Sequence, residues 1–274
     1  MGQAVKLSPY PRNGDVRRRM WRPGIALKIS AGLHAGAIVG LIGRPQWWPE
    51  ILACIVLNHF LLGLIGLWPR SRSLGSNMLR LPEAAARRRE IALTFDDGPD
   101  PDITPKVLEL LEARGARASF FVVGEKASAH PELIREIARR GHSIENHSLR
   151  HSSFFGFFGL RALTREIGSA QEIVAGLVGA APSFFRSPMG IRSPLLDPVI
   201  TKLGLRYVTW TRRGYDTVSN DPAAVLKRLE RNLAAGDILL MHDRGPNVLK
   251  VLPALLERIS AAGLKPVSLP MAMR

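Results

Sequence analysis

The N-terminal part of the chain contains two long apolar segments, 23–43 and 51–68, each close to the roughly 20 residues that a helix needs to cross a bilayer. Tryptophan side chains favour the headgroup region of a membrane, and four of them flank these segments: Trp21, Trp47, Trp48 and Trp68. The pattern predicts one or two transmembrane helices, and we favour a helical hairpin that forms a membrane anchor over residues 1–69. Lys28 leaves an interfacial or re-entrant first helix as the alternative.

From residue 91 onward, short β-type runs alternate with amphipathic stretches of helical period. The predicted strands occupy residues 91–95, 118–123, 143–146, 183–186, 206–211, 237–241 and 266–269. The predicted helices occupy residues 104–114, 131–140, 160–177, 195–203, 222–235 and 248–262. Strands that alternate with helices of this length predict a parallel sheet or barrel. We therefore expect one α/β domain over residues 91–274, joined to the anchor by a basic linker over residues 70–90.

The chain has 274 residues, of which 38 are Lys or Arg and 23 are Asp or Glu, and its net charge is +15. Most of this excess lies beside the apolar segments, where basic side chains meet anionic lipid, so we expect a membrane as a partner and no nucleic acid. Six basic residues precede the first segment, six follow the second and only Arg44 lies between them. By the positive-inside rule a full hairpin leaves the domain in the cytoplasm, whereas a single span by the second segment would place it outside.

Polar, titratable side chains follow most of the predicted strands, which a hydrophobic core does not require. In parallel α/β folds chemistry gathers at the carboxyl ends of strands, and these ends carry Asp96, Asp97, His147, His151, Arg186, Asp216 and His242. The i, i+4 spacing predicts that His147 and His151 share one face of a helical turn and bind one metal ion. With one aspartate they would supply the three protein ligands of a catalytic zinc site. The single cysteine, Cys54, excludes a disulfide framework and a cysteine-based zinc cluster.

Five motifs of the domain occur in an order that resembles one enzyme family. They are TFDDGP at residues 94–99, HSLRH at 147–151, RSPMG at 186–190, Asp216, and LMH at 240–242. Together they resemble the motifs of the NodB-like polysaccharide deacetylases, carbohydrate esterase family 4. The resemblance implies a distorted (β/α) barrel with fewer than eight strands. It also implies hydrolysis of an N-acyl group, expected to be N-acetyl, from an amino sugar in a polysaccharide, an oligosaccharide or a lipid-linked glycan at a bacterial-type inner membrane.

The resemblance also implies a role for each matching residue. Asp96 matches the general base, and Asp97, His147 and His151 match the ligands of a divalent metal ion, expected to be Zn²⁺. Arg186 matches the arginine that holds the base, while Asp216 matches the carboxylate that tunes the general acid, His242. The residues expected to contact substrate are Leu240, as a wall of the acyl pocket, Pro188 and Tyr215.

The chain departs from the family pattern at three positions. Ser152 follows the second histidine where a proline is common, and the usual DxxDW motif has Arg213 in place of its first acid and Thr217 in place of its tryptophan. The last change leaves the acyl preference open, so a deformylase of a lipid-linked formamido sugar is an alternative. A non-haem iron oxygenase and a non-catalytic carbohydrate-binding protein are further alternatives. The phenylalanines of residues 153–159 are interpreted either as core or as a surface that enters the membrane.

Overall fold

The computed structural model describes residues 20–274. Helix α1 (Ile25–Gly43) and helix α2 (Trp48–Gly66) are joined by a single 3₁₀ turn, so both apolar segments are helical as predicted. Each is long and apolar enough to cross a membrane, and only 6% and 11% of their apolar stretches are buried within the protein. The basic residues at positions 6–19, on which part of the topology prediction depends, lie outside the described residues.

The two N-terminal helices contact each other through polar side chains. Asn58 Nδ2 donates a 2.9 Å hydrogen bond to Ser30 Oγ, and the rings of His34 and His59 meet edge to face with their centroids 5.2 Å apart. In an apolar environment paired polar groups favour helix association, because each group would otherwise lack a partner. These contacts support a hairpin in which α1 and α2 form one unit.

Eight parallel strands form one curved sheet. They are β1 (Glu90–Asp96), β2 (Ser119–Val122), β3 (Ser143–Asn146), β4 (Phe184–Phe185), β5 (Arg206–Tyr207), β6 (Arg212–Arg213), β7 (Ile238–His242) and β8 (Lys265–Val267). The order is β5-β4-β3-β2-β1-β7-β6, and β8 also pairs with β1. The predicted distorted (β/α) barrel is therefore confirmed, with eight short strands rather than fewer than eight.

Helices connect the strands and cover the outer face of the sheet. They are α3 (Glu83–Arg87), α4 (Thr104–Ala113), α5 (Gly124–Ala129), α6 (Pro131–Arg139), α7 (Leu160–Val178), α8 (Leu196–Lys202), α9 (Pro222–Glu230), α10 (Asn247–Ala261) and α11 (Leu269–Ala272). The short helices α3, α5 and α11 are not predicted from the sequence, because four to six residues are too few to show a helical period.

The alternation of side chains along β1 determines what lies inside the barrel. Leu93 belongs to the core cluster that includes Leu108 of α4 and Leu252 of α10, whereas Ala92 packs with residues of the barrel interior. Successive side chains of a strand point to opposite faces, so Asp96 shares the interior face with Ala92. As the last residue of β1, Asp96 therefore lies inside the barrel at its carboxyl end.

The sequence predicts one strand over residues 206–211, and the structure corrects this to the two-residue strands β5 and β6. The reason is that this segment crosses between the two edges of the sheet. Val208 N donates to Phe185 O, Thr209 N donates to Met78 O, and Thr211 N donates to Ile238 O. Because its partners change along the segment, no continuous ladder forms, and the crossing closes the barrel.

Residues 70–90, predicted to be a basic linker, lie against the domain. Leu74 and Leu81 are buried, and Arg70 Nε donates to Trp210 O at 3.3 Å. Just before this stretch, the carbonyl of Gly66, the last residue of α2, accepts a 2.9 Å hydrogen bond from Arg192 N. The end of the second apolar helix is therefore attached directly to the α/β domain.

Glu145, inside the barrel on β3, is a buried carboxyl group that makes stability depend on pH. It accepts hydrogen bonds from Phe184 N and Ser183 N at 2.9 and 3.0 Å. Burial nevertheless raises its pKa from 4.5 to about 7. Between these two values the folded chain binds a proton that the unfolded chain does not, so the contribution of Glu145 to the free energy of unfolding falls as pH rises.

As the pH rises from 4.5 to 7, we therefore expect the free energy of unfolding of Glu145→Gln to increase by roughly 3 kcal/mol relative to that of the wild type. Subtracting the free energy of unfolding of the wild type from that of the variant at each pH cancels the contributions of all other titrating groups. Denaturant unfolding in detergent at both pH values measures it, with Glu172→Gln on the exposed face of α7 as the control. Parallel stability curves for the wild type and Glu145→Gln would contradict the raised pKa.

Candidate active site

A buried arginine fixes Asp96 at the carboxyl end of β1. Arg186 follows β4, is fully buried, and its Nη1 donates a 2.6 Å hydrogen bond to Asp96 Oδ1. The same guanidinium donates to Thr94 Oγ1 and Thr209 O, both at 2.9 Å, and lies 4.1 Å from the ring centroid of Phe121. Asp96 Oδ2 remains free of Arg186 and lies 3.8 Å from His147 Nε2. One oxygen of Asp96 is thus held, and the other faces the site.

Asp97, His147 and His151 bring three potential metal ligands together. Asp97 Oδ1 lies 3.3 Å from His147 Nε2 and 3.1 Å from His151 Nε2, and all three ligand atoms lie within 4.8 Å of one another. Asp97 Oδ1 is buried without a hydrogen-bond partner. Burial alone would raise the pKa of Asp97, but the neighbouring imidazoles of His147 and His151 hold it well below its usual range.

The orientation of His147 leaves one ring nitrogen available to a metal. Its Nδ1 lies 2.8 Å from the carbonyl oxygen of Arg186, so Nδ1–H donates and Nε2 keeps its lone pair. Carbonyl-bound histidines of this kind are typical of zinc ligands. Two imidazoles and one carboxylate, whose buried Oδ1 has no hydrogen-bond partner among residues 20–274, therefore fit a divalent cation with a position left open for water.

The predicted helical turn that would place the two histidines on one face is wrong. Residues 147–151 form a loop after β3, in which Ser148 and His151 have the positive φ values of 69° and 54°. The loop reverses the chain so that both imidazoles reach Asp97. The two histidines of the i, i+4 pair therefore do lie together, but not through the helical turn from which the prediction was made.

His242 ends β7 on the other side of Asp97. Its Nδ1 lies 2.9 Å from Asp216 Oδ1, and its backbone N donates a 2.8 Å hydrogen bond to Asp216 Oδ2. This two-point contact fixes the ring and directs Nε2 into the pocket, 4.0 Å from Asp97 Oδ2. A proton on Nε2 would therefore face the same space as the free oxygen of Asp96.

The sequence matches known proteins over the part that builds this site. The profile of the polysaccharide deacetylase family matches residues 83–208. The chitooligosaccharide deacetylase of Azorhizobium caulinodans is 34% identical over 157 residues, which are 57% of this chain and 74% of that protein. This chain belongs to the polysaccharide deacetylase family. A peptidoglycan-N-acetylglucosamine deacetylase of Bacillus cereus is 30% identical and covers 67% of this chain and 68% of its own length.

Solved structures of the polysaccharide deacetylase family share this fold. The Bc1960 peptidoglycan N-acetylglucosamine deacetylase superimposes with a TM-score of 0.67 at 28% identity, covering 72% of this chain and 92% of its own. A family 4 carbohydrate esterase from Streptomyces lividans, solved with acetate, gives a TM-score of 0.61 at 32% identity, with 65% and 91% covered. The family, fold and enzyme class expected from the sequence are therefore confirmed.

Twelve residues line the pocket of this family member, and six of them are predicted site residues: Asp96, Asp97, His147, His151, Leu240 and His242. Arg186 and Asp216 lie behind this lining and hold Asp96 and His242. Pro188 is buried next to Met189 and Gly190, which line the pocket in its place. Tyr215 is half-exposed and packs on Arg213 with 4.8 Å between the guanidinium carbon and the ring centroid.

The sequence analysis misses four further lining residues, Met189, Gly190, Trp210 and Arg244. Arg244 Nε lies 3.0 Å from Asp97 Oδ2. The rule that chemistry gathers at strand ends could have found Arg244, because it follows β7 by two residues. Trp210 carries no such signal, since it enters the site only because the segment between β5 and β6 crosses the barrel.

Proposed function

We propose that this protein is a metal-dependent carbohydrate N-deacetylase that removes an acetyl group from an amino sugar. The observation that carries the proposal is the arrangement of five side chains around the pocket. Asp97, His147 and His151 converge on one point, the free oxygen of Asp96 lies on one side, and the ring of His242 lies on the other. An amide needs an activated water and a protonated leaving nitrogen, and these residues are placed for both tasks.

Asp97, His147 and His151 would hold a divalent cation, which we take to be Zn²⁺. When bound, such an ion lowers the pKa of a coordinated water and polarises a carbonyl group. Asp96 accepts the proton of the attacking water through Oδ2, because Arg186 already occupies Oδ1. The hydrogen bond from Arg186 fixes the carboxylate of Asp96 and aims Oδ2 at the water.

His242 supplies the proton that the departing amine needs. Asp216 accepts the hydrogen bond from Nδ1, which fixes the ring and presents Nε2 to the pocket, where a general acid is needed. Base and acid therefore approach the scissile bond from different strands, β1 and β7, whose ends are neighbours in the sheet.

The acyl pocket supports acetyl as the group removed and leaves formyl as the second candidate. Leu240 lines the pocket, and Thr217 lies in the lining where the family pattern has a tryptophan. Both candidates use the same hydrolysis, so the released acid, acetate or formate, distinguishes them.

The position of the site beside the anchor supports a lipid-linked glycan as the substrate. Gly190, which lines the pocket, packs closely on Pro69, three residues after the end of α2: a Cβ on Gly190 would lie 3.0 Å from the Pro69 ring. Phe155 of residues 153–159 is buried, but Phe154 and Phe157 are 69% and 82% exposed. Exposed aromatic side chains near a membrane helix are suited to the bilayer surface.

We place the domain on the cytoplasmic side of the membrane. A topology reporter fused to the C-terminus would test this placement.

The test uses the full chain in lipid nanodiscs with zinc. Substrates are an N-acetylglucosamine oligosaccharide, its polyprenyl-linked form and a lipid-linked formamido sugar, and the released acid is identified. We expect acetate, with faster release from the lipid-linked acetamido sugar. No acid from any substrate would overturn the proposed activity.

Replacing both Phe154 and Phe157 by serine tests the lipid-linked part of the proposal. We expect kcat/KM for the lipid-linked sugar to fall about tenfold, because apolar area no longer enters the interface. The soluble oligosaccharide is the internal control, and its kcat/KM should stay unchanged. Equal effects on both substrates would show that the two phenylalanines do not contact the membrane.

A further inference from the structure

The rim of the pocket carries one arginine whose charge no acidic side chain neutralises. Arg213 ends β6 and lines the pocket. Its guanidinium carbon lies 5.2 Å from the ring centroid of Trp210 and 4.8 Å from that of Tyr215, so two aromatic rings hold it. Within residues 20–274 its guanidinium makes no hydrogen bond or ion pair, and its Nε is buried without a partner.

The carboxylates of the site already have other partners. Asp96 pairs with Arg186 at 2.6 Å, Asp216 contacts His242 at 2.9 Å, and Asp97 contacts Arg244 at 3.0 Å. The guanidinium of Arg213 also has a like-charged neighbour. Arg186 lies 5.9 Å from the centroid of the Trp210 ring on which Arg213 packs. An anion at the rim would therefore find a positive charge that no acidic side chain of residues 20–274 balances.

We propose that Arg213 determines specificity by binding an anionic oxygen group of the substrate, a phosphate or a carboxylate, next to the N-acyl sugar. This inference rests on the proposed function and names its substrate class as a negatively charged amino-sugar glycan. The planar guanidinium offers paired N–H donors that match both groups, and stacking on Trp210 and Tyr215 reduces the freedom it loses on binding.

Arg213 also lies close to the reacting centre. Pairing with Leu240 across β6 and β7 places Arg213 beside the wall of the acyl pocket. An anionic group bound there lies close to the reacting amide.

The test compares water-soluble substrates that differ only in charge. They are a neutral N-acetylglucosamine oligosaccharide, the same sugar as a methyl phosphodiester, and an oligosaccharide with a carboxylate ether substituent. Wild type, Arg213→Gln, Arg213→Lys and the control Arg165→Gln, an exposed arginine of α7 outside the pocket, are assayed for acid release. The phosphodiester and carboxylate arms identify which anion is recognised.

We expect Arg213→Gln to lower kcat/KM for the anionic substrate roughly 10- to 100-fold, mainly through KM, and to leave the neutral substrate within about twofold. Arg213→Lys should recover part of the loss, and Arg165→Gln should change nothing. Equal losses on neutral and charged sugars, or no wild-type preference for either anion, would overturn the inference. Acid release from the neutral sugar alone would leave the proposed function intact, whereas no release from any sugar would remove both.

Discussion

Asp96→Asn should lower kcat by roughly 10²–10⁴-fold while the protein keeps its divalent cation. Asparagine has nearly the same size as aspartate, and its amide oxygen can still accept the hydrogen bond from Arg186 Nη1 that Asp96 Oδ1 accepts at 2.6 Å. The amide nitrogen then replaces Oδ2 and cannot accept a proton from water. The substitution therefore removes the base and keeps the packing.

The measurement pairs the rate of acid release with the metal content of the purified protein. Asp102→Asn is a suitable control, because Asp102 is exposed and lies in the loop that follows β1. We expect the control to retain both properties. Turnover near the wild-type level in Asp96→Asn would refute the assignment of Asp96 as base, and loss of the metal would make Asp96 a ligand.

The sequence predicts many of the residues that meet at the pocket because they lie at strand ends, and strand ends are visible in a hydrophobic pattern. The run 91–95 identifies β1, and Asp96 and Asp97 follow it directly. Parallel strands bring their carboxyl ends to one edge, so residues far apart in the chain converge without any knowledge of the loops. The structure then adds the distances that distinguish a base from a ligand.

What the sequence does not predict depends on contacts between distant segments. The bonds of Thr209 to Met78 and of Thr211 to Ile238 decide where the crossing segment lies, and they place Trp210 and Arg213 at the pocket. The loop of His147 and His151 likewise depends on positive φ values that a histidine spacing cannot reveal. Backbone conformations of this kind are costly for non-glycine residues and are maintained by the surrounding structure.

The packing of residues 66–81 is the other feature that the sequence does not show. A run rich in arginine, glycine and serine resembles a solvated linker, yet Leu74 is buried and Gly66 is bonded to Arg192. Because the loop of Arg192 continues into Gly190 and the pocket, short-range contacts connect the end of α2 with the site.

The second large effect is expected for His147→Ala, which should weaken binding of the divalent cation by more than roughly 100-fold and abolish turnover. Loss of one of three protein ligands exceeds the 10- to 100-fold effect typical of removing an outer hydrogen-bond partner. His147 also links the ligand set to the base, since its Nδ1 contacts the carbonyl of Arg186 at 2.8 Å. Alanine therefore removes a ligand and an orienting contact together.

His242→Ala provides the matched comparison, because His242 lies 4.0 Å from Asp97 Oδ2 and is assigned to proton donation rather than to metal binding. Both variants should lose turnover, but only His147→Ala should lose the metal when the two are dialysed against the same zinc buffer. Circular dichroism of each protein checks that the fold survives. Equal zinc content in the two variants would mean that His147 is not a ligand, and Asp97 and His151 would then need a third partner from elsewhere in the site.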